Sequence, residues 1–185
     1  MISPDGQKVA FVPDPNMDAP FDSDEWYPTL VADRQGNIIA RFDGYSEPTW
    51  TPDNRLLVSG RGDTAPFGLY LSDADLQTLT RIDNEQIKGF AEHPDVDNQG
   101  RRVAFIYNQE IWAINLDGTN FEVLYRDPSP LSYPVWSPDG KAIAFLAYSA
   151  TDPDRTPFKS MFIYDIAKQN LHTLTIQSEQ FYPQG

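Results

Sequence analysis

The chain has no cysteine among its 185 residues. Disulfide frameworks, thiolate metal centres and cysteine nucleophiles are thereby excluded. Histidine is nearly absent too. Only His93 and His172 occur, too few for a histidine-rich metal site. Positive charge is scarce, with 14 Lys and Arg against 27 Asp and Glu, a net charge of −13. That balance argues against nucleic acid and anionic lipid, both of which need a basic face. It leaves a basic protein partner, cations, or plain solubility. No apolar run approaches the roughly 20 residues of a membrane-spanning helix, so no membrane insertion is expected. No basic start and apolar core mark a secretory signal. Either the protein is cytoplasmic or its true N-terminus is missing; the repeats below favour the second. Finally, there is no Gly-x-Ser-x-Gly elbow, no His-Glu-x-x-His and no Gly-rich phosphate loop. No segment holds a 3.6-residue period, so almost no helix is expected.

What is present is repetition. With 40% hydrophobic and 13% aromatic residues the chain has enough apolar surface to fold. Its 16 Pro and 11 Gly fit many short elements separated by turns. Four phrases recur: "ISPDGQKVAFV" from Ile2, "PTWTPDNRLLVSG" from Pro48, "EHPDVDNQGRRVAFIY" from Glu92 and "PVWSPDGKAIAFLA" from Pro134. Their turn residues, Gly6, Asn54, Gly100 and Gly140, lie 48, 46 and 40 residues apart. A period in the forties with strand-like content predicts propeller blades of four strands each.

Each unit reads alike. A short first strand ends at an aromatic, as in Pro48-Thr49-Trp50. A tight turn leads to an apolar second strand, such as Arg102 to Ile106. Third strands follow at Leu69 to Leu71, Ile111 to Ile114 and Phe162 to Tyr164. Fourth strands are read at Leu76 to Thr80, Glu122 to Tyr125 and Leu171 to Thr175. The second strands are apolar without alternation. That predicts burial on both faces, as stacked blades would provide. In the turn, Pro pre-sets φ, Asp bonds its own backbone, and Gly or Asn takes a left-handed conformation. The third copy departs: Asp95 and Gly100 are separated by four residues, which reads as an expanded loop.

The pattern Pro-x-Trp-Ser-Pro-Asp-Gly-Lys-x-Ile-Ala-Phe, then Ile163-Tyr164-Asp165 and Leu174-Thr175, resembles the TolB-type β-propeller repeat. Pro48 to Val58, Leu69-Tyr70, Asp73 and Leu79-Thr80 carry the same resemblance. It implies an all-β propeller of about four blades, part of a larger, commonly six-bladed ring. The repeats divide as 1–44, 45–82, 83–125 and 126–176, with a further blade starting at 177–185. Met1 falls inside a repeat, and Phe181-Tyr182-Pro183 looks like the start of another. Either the chain is a piece of a longer propeller, or Glu179 to Pro183 supplies the first strand beside Lys8 to Val12 and closes a four-bladed ring.

The resemblance also implies a non-catalytic, periplasmic or exported scaffold that holds a protein or peptide. The alternative it implies is the accessory propeller of a prolyl-oligopeptidase-like hydrolase. Propeller binding concentrates on rim loops. The candidates there are Arg61 and Asp63, within an Arg-Gly-Asp tripeptide, and Asp152, Asp154, Arg155 and Phe158. Glu92 and His93 read as a divergent turn pair on an inner strand, able to face the channel and hold a ligand or proton. His172 reads as an outward strand residue. The acidic loops, with Asp14, Asp18, Asp22, Asp24 and Glu25 in one and Asp152 and Asp154 in another, could offer oxygens to calcium. Their spacing lacks the calcium-loop pattern, and no cofactor is expected.

Overall fold

The computed structural model describes residues 1–13, 28–62, 64–148 and 159–174. Every regular element among them is a strand. β1 (Lys8–Phe11), β2 (Thr29–Asp33) and β3 (Ile38–Phe42) form one antiparallel sheet. The second sheet is β4 (Tyr45–Trp50), β5 (Leu56–Gly60), β6 (Gly68–Ser72) and β7 (Leu79–Arg81). The third is β8 (Glu92–Val96), β9 (Arg102–Tyr107), β10 (Glu110–Asn115) and β11 (Glu122–Tyr125). The fourth is β12 (Leu131–Trp136), β13 (Ala142–Tyr148), β14 (Lys159–Asp165) and β15 (Asn170–Leu174). In each four-stranded sheet the strands stand in chain order, as in a propeller blade.

Among the described residues the core is three clusters, one between each pair of successive blades. Alternate residues of a second strand serve opposite clusters. Leu56 and Val58 pack toward the first blade, Leu57 toward the third. Val103 and Phe105 face the second blade, Ala104 and Ile106 the fourth. Continuous apolarity in these strands therefore reflects burial on both faces.

The four turns are one structure. The N–H groups of Gly6, Asn54, Gly100 and Gly140 donate to the carbonyls of Ser3, Thr51, Asp97 and Ser137, at 2.8 to 3.0 Å. All four turn residues have φ between 63° and 69°, the left-handed region that admits Gly and, among other residues, Asn most readily. This corrects the third copy. Its turn is not expanded: Asp97-Asn98-Gln99-Gly100 is the same tight turn, led by Asp97 instead of Ser or Thr. The Asp97 carboxylate accepts the Arg101 N–H at 2.7 Å, as the Thr51 hydroxyl accepts that of Arg55 at 3.0 Å. Pro94-Asp95 thus belongs to the strand, not to the turn. A second correction concerns the second copy. Leu76 is not in its fourth strand but in the preceding turn, with φ 58° and a buried side chain.

Candidate functional site

Moving the third turn to Asp97 realigns its inner strand. Val96 takes the place of Trp50 and Trp136, and His93 the place of Glu47 and Tyr133. Each of these three residues precedes a proline: Pro48, Pro94 or Pro134. Each has a left-handed backbone, with φ of 53°, 52° and 53°. Each sits in a β-bulge where the inner strand carries one residue more than its partner, between Ser46 and Thr49, Glu92 and Asp95, and Ser132 and Val135. The α region is already disfavoured before proline, and a left-handed non-Gly residue costs about 1–3 kcal/mol. Such a bulge re-aims a side chain, and here it does so identically in three blades.

The three side chains form a row across those blades. The Glu47 carboxylate accepts the His93 backbone N–H at 3.3 Å and lies 3.2 Å from His93 Nδ1. The His93 ring stacks on Tyr133, with centroids 3.9 Å apart and planes at 23°. The hydrogen bond from His93, against the opposing effect of burial, holds the Glu47 carboxyl below the usual carboxylate range; Arg61 adds attraction. An ionised Glu47 makes Nδ1 the donor and leaves Nε2 of the neutral ring an acceptor. Glu47 and His93 are partly exposed, and Tyr133 is half exposed. The row can therefore offer a partner a carboxylate oxygen, an imidazole nitrogen and an aromatic ring.

The row lies at the rim where inner strands begin. Tyr45 pairs with Gly60, the last residue of β5, and the Arg61 N–H donates to Gly44 O at 3.2 Å. Arg61 opens the loop after β5, so this is the rim of the loops joining second and third strands. Beside Glu47 is a cleft of about 580 Å³, lined by Phe11, Val12, Pro48, Arg61 and Phe90 among others.

The structure brings two of the expected residues together, Arg61 and His93, and joins them through Glu47. Glu92 is exposed and is not the partner of His93. As the neighbour of a bulged residue it takes the position of Ser46 and Ser132. Asp63, Asp152, Asp154, Arg155 and Phe158 lie outside the described residues, as do the acidic loops considered for calcium. Among the described residues, no group of three or more His, Asp or Glu is placed to hold a metal ion. His172 is exposed on β15. Glu47 was missed on sequence. The signal that could have found it is the residue before proline in each repeat.

Asp95, on the same inner strand as His93, accepts the Trp136 N–H at 2.7 Å and so ties the third blade to the fourth. Burial, with a further push from Asp97, raises its pKa despite that bond. Its folded form thus holds a proton more tightly than its unfolded form. The resulting stabilisation is present below the unfolded carboxylate pKa and is lost as pH rises through the folded one. Asp95→Asn, which keeps an acceptor for Trp136, is expected to raise the urea midpoint at pH 7. The gain should shrink as pH falls through the carboxylate range; an equal gain at every pH would refute the assignment.

No family model matches the chain. An uncharacterized protein of Agrobacterium fabrum is 25% identical over 150 residues, covering 74% of this chain and 50% of that protein. The chain thus spans half the length of this curated relative. TolB from Acinetobacter baumannii superimposes with a TM-score of 0.68 at 23% identity, over 93% of this chain and 42% of that one. A TolB-designated protein of Agrobacterium tumefaciens gives 0.71 at 22% identity, over 93% and 62%. An oligogalacturonate lyase in complex with manganese gives 0.62 at 18% identity, over 94% and 51%. The chain has a TolB-like β-propeller fold.

Proposed function

We propose that this chain is a binding propeller, exported to the periplasm or beyond, that holds a protein or peptide partner at the rim where its inner strands begin. The observation that carries the reading is the row Glu47, His93 and Tyr133: three strained backbones aiming three different side chains at one place. Strain kept in three successive blades supports a functional surface. The side chains suit recognition better than covalent catalysis. Among the described residues the hydrogen-bond partner of His93 is Glu47, a carboxylate and not a hydroxyl or amine nucleophile. The net charge of −13 favours a basic partner surface around the row.

The test is capture from bacterial envelope extract on the immobilised chain, with and without EDTA. Captured proteins are identified by mass spectrometry, purified and titrated. His93→Ala removes the central member of the row at a partly exposed position. It is expected to weaken partner binding about tenfold or more, equivalent to ~1.4 kcal/mol, with the melting temperature little changed. A partner held equally well by His93→Ala, or turnover of a substrate by the isolated chain, would reject the proposal.

A further inference from the structure

The turns that follow the inner strands carry a second row, on the rim opposite Glu47, His93 and Tyr133. The residue after each turn is Gln7, Arg55, Arg101 or Lys141, and the turn's third residue is Asp5, Asp53, Gln99 or Asp139. In the second and fourth blades the acid faces the cation that follows it. Asp53 Oδ2 lies 2.8 Å from Arg55 Nε, and Asp139 Oδ2 3.8 Å from Lys141 Nζ. The third blade breaks the pattern, since Gln99 stands where the acid would be. Its other turn carboxylate, Asp97, is 3% exposed and accepts the Arg101 backbone N–H at 2.7 Å. Asp97 Oδ2 is 4.0 Å from Arg101 Nε, beyond hydrogen-bonding reach. The Arg101 guanidinium, 65% exposed, thus makes no hydrogen bond with a described residue.

Arg101 lines a cleft of about 690 Å³ between the second and third blades, together with Arg55, Leu71, Asn115, Leu116 and Asp117. Each of these blades packs on its other side against a further blade, so both walls are internal to the array. The two turns abut: a Cβ on Gly100 would stand 3.3 Å from Pro52 Cδ. Arg55 bonds Asp53 through Nε alone, and its terminal nitrogens make no hydrogen bond with a described residue. Asp117 is paired with neither arginine. The Thr119 hydroxyl and N–H, at 2.6 and 3.0 Å from its Oδ1, hold its carboxyl below the usual range, so it is ionised. The Leu116 N–H donates to Arg101 O at 2.8 Å, and Leu71 lies on the face of β6 that packs on the third blade.

We propose that this cleft captures the C-terminal residue of a peptide or protein whose last side chain is apolar. It lies on the far rim and does not rest on the reading of the row. A terminal residue presents three groups together: a carboxylate, its own amide N–H and a side chain. The planar forks of Arg55 and Arg101 match the carboxylate. The second oxygen of Asp117 can accept the N–H, and Leu71 and Leu116 give the side chain an apolar surface. Charge narrows the choice. With Asp53, Asp97 and Asp117 around two cations, a singly charged group is favoured over a phosphate dianion. An internal aspartate offers a carboxylate without an apolar side chain on the same residue.

The test uses an N-terminally labelled hexapeptide ending in Ala-Leu, titrated into the full chain at low salt and followed by fluorescence polarisation. Saturable binding is expected with a free C-terminal carboxylate. Amidating that carboxylate should weaken it about tenfold or more, and so should Arg101→Gln or Arg55→Gln. Gln99→Asp is the sharpest variant, because it gives the third turn the acid of the other blades and keeps both arginines. It should weaken binding several-fold with the melting temperature unchanged, Gln99 being exposed. Four results would overturn the proposal: no saturable binding of the free acid, equal binding of acid and amide, binding indifferent to Arg101→Gln, or an amidated peptide with an internal aspartate bound as tightly as the free acid. N-acetyl-leucine bound as tightly as the hexapeptide would replace the peptide with a small acid and overturn it too.

Discussion

Asp83→Ala is expected to cost about 3–5 kcal/mol, the effect of removing one partner from a buried ion pair. In a chain of this size that is a fall in Tm of roughly 10 °C. Asp83 lies in the connection between the second and third blades, and its side chain is 0% exposed. Burial alone would raise its pKa. Two hydrogen bonds from Arg81, at 2.8 and 2.9 Å, outweigh that, joined by the backbone N–H groups of Ile87 and Leu69 at 3.0 and 3.3 Å, and the carboxyl is held below its usual range. Removing the carboxylate strands four donors at once. Gly68 shows how tightly the group is enclosed: its φ is 150°, and a Cβ there would stand 2.7 Å from Asp83 Oδ1. Differential scanning calorimetry would measure the loss. The paired variant Arg81→Met with Asp83→Leu should recover only part of it, because it removes the two guanidinium donors but leaves the Ile87 and Leu69 N–H groups unpaired. A single variant with wild-type Tm would show the pair to be dispensable.

Phe145→Ala is expected to lose about 3–5 kcal/mol by emptying the cluster between the third and fourth blades. The ring is 2% exposed and packs against Tyr125 and Phe162, with centroids 4.9 and 5.6 Å away. In a repeat array each unit contacts only its neighbours, so the damage should be local. Hydrogen exchange should accelerate through β12 to β15 and change little in β4 to β7. Uniform acceleration would indicate instead that the blades unfold as one unit.

The sequence made the architecture legible because turn chemistry is local. Pro, Asp and a residue tolerant of positive φ must fall within four positions, so Gly6, Asn54 and Gly140 could be read one by one. The third copy misled for a related reason. Pro94-Asp95 imitates the turn phrase, while the true leader, Asp97, performs the role of Ser or Thr with a carboxylate. Once that turn is displaced, His93 is read in the wrong register and Glu92 is mistaken for its partner. The contact of Glu47 with His93 spans 46 positions, and only the stacking of blades creates it. Asp83 was equally hidden. An acidic residue in a connection between strands reads as solvated surface, and only its four donors show why it is buried.

The bulge before each inner-strand proline has an evolutionary consequence. The backbone there is set by the repeat, whereas the side chain differs in each of the three blades that carry it. Turn residues and core residues are tied to the architecture, and changing them endangers all of it. Positions 47, 93 and 133 are released from that duty, at least partly exposed and already aimed. Selection can therefore rewrite the side chains this rim presents one blade at a time, with the scaffold left untouched.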